Sequence, residues 1–141
     1  MGYAVGIALA LVVVGFARWT GFDRDRAFYP AVVIVTASYY VLFAVMSGSS
    51  HALVAEAIMM AAFVLLAVLG FKRSSWLVVA ALMAHGLFDL LHPLIVHNPG
   101  VPESWPAFCL AFDVGAAGLL ALGLRVPQSQ SPSPIRHARS T

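Results

Sequence analysis

Five apolar stretches follow one another along this chain, each bounded by a short polar connection, and that succession limits the fold more than any other feature. They cover about residues 3–17, 29–46, 52–71, 76–98 and 107–124. A helix needs about 20 mainly apolar residues to cross the hydrocarbon of a bilayer. The chain as a whole is 61% hydrophobic and only 10% charged, with a mean hydropathy of +0.90. A water-soluble domain of 141 residues could not hide so much apolar surface. The expectation is an all-α membrane protein, a compact bundle of five transmembrane helices. The first stretch lacks the positive start and the small-residue cleavage site of a signal peptide, so it is expected to remain as a span.

The basic residues give an orientation. Arg18, Arg24 and Arg26 lie between the first two stretches, Lys72 and Arg73 between the third and fourth, and Arg125, Arg136 and Arg139 after the fifth. The N-terminus and the other two connections hold no Lys or Arg. The positive-inside rule then predicts an outer N-terminus and a cytoplasmic C-terminus, in a bacterial inner membrane. Trp19, Trp76 and Trp105 fall at helix ends, where interfacial aromatics gather. The Pro/Ser-rich segment 125–141 reads as a disordered cytoplasmic tail.

The net charge of +2 therefore follows topology, and no basic cluster interleaved with aromatics points to nucleic acid. A single cysteine, Cys109, excludes an internal disulfide and any CxxC zinc site. No internal repeat suggests the paired halves of a transporter. Small residues at Gly2, Gly6 and Ala10 and in "VGAAGLLALG" predict close helix packing, and they suit a homo-oligomer as well.

Against this apolar background, three of the six acidic residues, Glu56, Asp89 and Asp113, fall inside spans. A carboxylate at the centre of a spanning helix costs about 2.5–3.5 kcal/mol on insertion scales, so such groups face the bundle interior or a wet cavity. In "HGLFDLLHP", His85, Asp89 and His92 recur at i, i+4 and i+7. At 100° per residue they share a stripe roughly 60° wide. Pro93 removes a helical donor one turn beyond Asp89, and Gly86 leaves room for a neighbouring helix. Glu56, Asp113, Tyr39 and Tyr40 lie at similar depth, in the half of the bilayer expected to face outward. One outward-facing polar pocket would explain them all.

Four kinds of chemistry fit such a pocket. His85, Asp89, His92 and Glu56 could ligate zinc or another divalent metal through N and O donors, with water completing the shell. His85, Asp89 and Asp113 could instead move a proton for a small amphiphilic or lipid-derived ligand, with Glu56, Tyr39, Tyr40 and His92 lining its site. Proton-coupled or cation transport is the third, although "FVLLAVLGF" and "GLLALGL" offer no polar path inward. The fourth is structural: the polar groups simply hydrogen-bond the helices together. Met59, Met60 and Cys109 are a soft set that copper(I) accepts, but methionine in an apolar helix is usually filler. His85 and His92 lie about 10 Å apart along one helix and cannot both bind one haem. The expected partners are membrane lipids and an amphiphilic small molecule, and no enzyme activity is assigned.

The whole chain resembles the small polytopic membrane proteins of bacterial genomes, a likeness that implies no activity. The succession "AHGLFD", a loop with Trp105, then "FCLAFD" is similar in plan to the emopamil-binding-protein and sigma-2-receptor group. That resemblance covers less than half the chain, with Asp where the group has Glu and three helices preceding the motif. It implies that His85, Asp89 and Asp113 handle a proton.

Overall fold

The structure is a computed structural model that describes residues 1–126. Its elements are α1 (Gly2–Thr20), a 3-10 turn (Phe22–Arg24), α2 (Phe28–Ser47), α3 (Ser50–Arg73), α4 (Ser75–Ile95) and α5 (Trp105–Arg125). Each of the five α-helices is long and apolar enough to cross a membrane. The tail expected over 125–141 lies outside the described residues beyond Val126.

Local chemistry sets the helix ends. Gly21 and Gly48 follow α1 and α2 at φ +83° and +69°, the left-handed conformation that closes a helix at little cost to glycine. Ser49 caps α3 by accepting from the Ala52 amide, and Ser74 caps α4 by accepting from Trp76. α5 opens on Trp105–Pro106, where a missing proline N–H is harmless. The fourth helix was expected to continue to residue 98, but it stops at Ile95 and Val96 is extended. Pro99 helps to explain this, because a proline disfavours helical geometry in the residue before it. Residues 96–104 are thereby freed to fold back over the bundle.

The order of contact around the bundle is α1–α5–α4–α3–α2, with α2 also touching α4. Glycine makes the tightest contacts possible. There is no room for a Cβ between Gly6 of α1 and the Phe108 carbonyl of α5, nor between Gly70 and Val78 where α3 meets α4. Gly2, Gly6 and Ala10 of α1 and Gly115 of α5 thus serve packing within the chain, whereas Gly15 and Gly118 have nothing within 4 Å of an added Cβ. Arg18 donates to the Leu119 carbonyl at 2.7 Å, and the Arg125 guanidinium sits 5.7 Å from the Trp76 ring centroid. These contacts gather basic residues at one end of the bundle. Large apolar side chains such as Val12, Ile58 and Leu94 point outward, as they would toward lipid.

α1 and α2 are both held to the rest of the bundle but only weakly to each other. A cleft of about 280 Å³ lies between them. Leu9 and Val13 form one wall and Val32 and Val35 the other, with Cys109 and Phe112 of α5 between.

Candidate functional site

The helical stripe on α4 faces the bundle interior. His85 and Asp89 have no exposed surface and His92 keeps 2%. Around them, α5 supplies Asp113, α3 supplies Glu56 and α2 supplies Tyr40, all buried. Their bonds divide into two groups joined by one tyrosine.

The first group is His85, Asp89 and Asp113. His85 Nδ1 and Asp113 Oδ2 share a hydrogen bond at 2.6 Å, and Asp89 Oδ2 lies 3.4 Å from the same nitrogen. Tyr40 donates its hydroxyl to the other oxygen of Asp89, Oδ1, at 2.7 Å. Asp89 Oδ2, Asp113 Oδ1 and His85 Nε2 are buried and have no hydrogen-bond partner among the described residues. The Phe63 ring meets the imidazole edge to face at 4.7 Å between centroids. One ligand atom from each of the three residues falls within 4.8 Å of the others, so the group could hold a metal ion.

The second group is Glu56, His92 and Asn98. His92 Nε2 and Glu56 Oε1 share a hydrogen bond at 2.7 Å, and Asn98 donates to the same oxygen at 2.9 Å. Asn98 also donates to the Tyr40 carbonyl at 3.0 Å and accepts from the Gly100 amide at 3.2 Å. Tyr40 connects the groups, because its ring stacks on His92 with centroids 4.1 Å apart while its hydroxyl holds Asp89.

Three expectations change. Tyr39 does not join the cluster: it is 36% exposed, packs on Trp105 with centroids 5.2 Å apart and lines the cleft between α1 and α2. One residue turns a helix by 100°, which carries Tyr39 away from the face that Tyr40 buries. Secondly, His92 and Glu56 bond each other, and the group that could hold a metal joins Asp113, not His92 and Glu56, to His85 and Asp89. Thirdly, the polar groups do not line an open pocket. They are packed against one another, and none of Glu56, His85, Asp89, His92 and Asp113 is more than 2% exposed. A cavity of about 320 Å³ does lie at the α4–α5 loop, where His97 and Glu103 join the edges of His92 and Asn98.

Asn98 was not among the sequence candidates. The fourth stretch reads as helix through this position, which places Asn98 at an interface rather than in a fold-back loop. The Asn-Pro-Gly succession was the available signal, since such dipeptides mark turns.

Toward the basic end the interior is apolar. Val33 and Ala37, Phe63 and Ala67, Ala81 and Leu82, and Ala117 and Leu120 pack below the cluster from four helices. Cys109 is buried, but the metal-capable group does not include it.

Comparison with protein-family models, with curated proteins and with solved structures gives no match. The likeness to the emopamil-binding-protein group therefore gains no support. What stands is a multi-pass membrane protein with a buried His/Asp cluster.

Proposed function

We propose that this protein binds, and converts by proton transfer, a small amphiphilic or lipid-derived molecule that reaches the His85–Asp89–Asp113 cluster sideways from the membrane. The observation that carries this reading is the cleft between α1 and α2. It is apolar, it lies at the level of spanning helices, and its lining includes Thr36 and Cys109. Thr36 is one helical turn before Tyr40, and Cys109 one turn before Asp113. An apolar tail could rest along Leu9, Val13 and Val32 with its polar head toward α5. Trp105 Nε1, a buried donor without a partner, stands at the loop end of the same cleft.

In this reading His85 is the proton carrier. Its Nδ1 already shares a hydrogen bond with Asp113, whereas Nε2 has no partner among the described residues, so Nε2 is where a proton taken from a ligand could be held, with the carboxylates beside Nδ1 balancing the charge. Zinc or another divalent metal at the cluster would take the place of that proton chemistry and polarise the ligand's head instead. The orientation proposed is an outer N-terminus in a bacterial inner membrane, which puts the cluster in the outer leaflet. The apolar packing below it speaks against a through-going ion path. The Glu56–His92–Asn98 group fits a structural role, since its bonds tie α4 to α3 through His92 and the α4–α5 loop to α2 and α3 through Asn98.

A photoreactive fatty acid, added to the protein in native-like membranes, tests this reading. Crosslinks should concentrate on the cleft residues of α1, α2 and α5 and should largely vanish in Val32→Trp, which fills the cleft. Labelling spread evenly over all lipid-facing residues, or unchanged in Val32→Trp, would refute it.

A further inference from the structure

We propose that His85, Asp89 and Asp113 form a buried site for one divalent transition-metal ion, with Tyr40 as the residue that orients Asp89 and with Glu56 and His92 outside it. The proposal does not depend on the lipid-derived ligand.

Charge is the first argument. Two carboxylates with no exposed surface sit around one imidazole. A single proton on that ring offsets only one of them, and an uncompensated buried charge is strongly destabilising. A dication leaves the set neutral once the imidazole is neutral. The exchange balances: the ion binds, the proton shared by Nδ1 and Asp113 leaves to water, and Nε2 keeps its hydrogen. Release of protons on binding is the ordinary behaviour of such ligands.

Geometry is the second. Ligands about 2.0–2.1 Å from a tetrahedral zinc lie roughly 3.3 Å from one another. Asp89 Oδ2 and His85 Nδ1 are already 3.4 Å apart. The 2.6 Å contact between Nδ1 and Asp113 is a hydrogen bond, and it would open by roughly 0.7 Å when an ion replaces the proton. The unpartnered atoms point the same way. Asp89 Oδ2 and Asp113 Oδ1 are buried acceptors that no donor among the described residues satisfies, and a buried acceptor left unpaired costs about 1–3 kcal/mol. Tyr40 takes Oδ1 of Asp89, which aims Oδ2 at His85. Hydrogen bonds of this kind orient metal ligands in general.

The donor set states the class of ion. Two carboxylate oxygens and one imidazole nitrogen suit zinc, manganese, iron(II) or cobalt(II) and disfavour copper(I), which prefers sulfur. Three protein ligands leave a fourth position for water or for a ligand head. The cavity at the α4–α5 loop, with His92, His97, Asn98 and Glu103, offers nitrogen and oxygen donors along the way in.

The test uses the full chain in mild detergent, stripped by chelator and then given cobalt(II) or zinc. Cobalt(II) should produce the intense visible bands of a tetrahedral site, and elemental mass spectrometry should find about one zinc per chain after gel filtration. Both signals should be lost in Asp89→Asn and in Asp113→Asn, and kept in Glu56→Gln and in His97→Ala. Tyr40→Phe should retain the site with affinity weakened by about 10- to 100-fold. If the wild-type protein takes up no cobalt or zinc, the proposal is overturned whether or not the variants fold. Metal that survives both Asp89→Asn and Asp113→Asn overturns it equally. The same metal-binding result stands or falls apart from the fatty-acid crosslinks, so failure of one reading leaves the other readable.

Discussion

Replacing Tyr40 by phenylalanine removes one oxygen and little else. The ring should stay where it is, stacked on His92 at 4.1 Å and edge-on to Phe88 at 5.7 Å between centroids. What disappears is the 2.7 Å bond to Asp89 Oδ1. Hydrogen bonds between spanning helices average about 0.6 kcal/mol and reach about 1.7. Bonds to charged groups in proteins run to about 1.5–3 kcal/mol. Two features place this one near the top of the membrane range. Asp89 has no exposed surface, so water cannot replace the lost donor. Its other oxygen accepts no hydrogen bond, so the tyrosine is the carboxylate's one donor among the described residues. We expect Tyr40→Phe to cost about 1.5–2 kcal/mol, or more than tenfold in the unfolding equilibrium. Reversible unfolding of the metal-stripped protein in mixed micelles would measure it. Tyr39→Phe is the control, with the same chemistry one residue away at a half-exposed position, and it should stay within about 0.5 kcal/mol. Equal and small effects at both positions would refute the reasoning, since the buried bond would then contribute no more than a surface hydroxyl.

Four other outcomes follow from the packing and the topology. Gly6→Leu should drive α1 away from α5 and cost at least about 1–3 kcal/mol, because the obstacle is the Phe108 carbonyl and not a flexible side chain. Gly15→Ala, where nothing lies within 4 Å of an added Cβ, should stabilise by about 0.5 kcal/mol. The same unfolding assay would separate the two. Asn98→Ala should cost about 1–3 kcal/mol and raise hydrogen exchange in residues 96–104, because Asn98 bonds Glu56, Tyr40 and Gly100 at once. In a Cys109→Ala background, a membrane-impermeant maleimide on intact cells should label Ser49→Cys and leave Lys72→Cys unlabelled until the cells are opened. The reverse pattern would invert the proposed orientation.

Periodicity within a helix was legible in the sequence, and it was informative. Five apolar stretches of spanning length specified five helices, because a chain in lipid must satisfy its backbone internally. The i, i+4, i+7 spacing placed His85, Asp89 and His92 on one face, and all three are buried on it. The cost of an acid in hydrocarbon put Glu56 and Asp113 inward, where they are found.

The partners were decided elsewhere. Depth along the bilayer was the same for Tyr39 and Tyr40, yet only Tyr40 meets Asp89, because the rotation of α2 about its axis is set by packing against α3 and α4. Depth along the helices sets Asp113 level with Asp89 and Glu56 level with His92, but depth alone does not make neighbours. The bundle order places α5 and α3 on either side of α4, so Asp113 takes His85 while Glu56 takes His92, nearly two turns away. Asn98 enters the network only because the chain leaves the helix at Ile95 and folds back. A sequence fixes angles within a helix through local geometry. Angles between helices come from side chains that interlock across long separations, and glycines such as Gly6 and Gly70 act only when the opposing backbone is present.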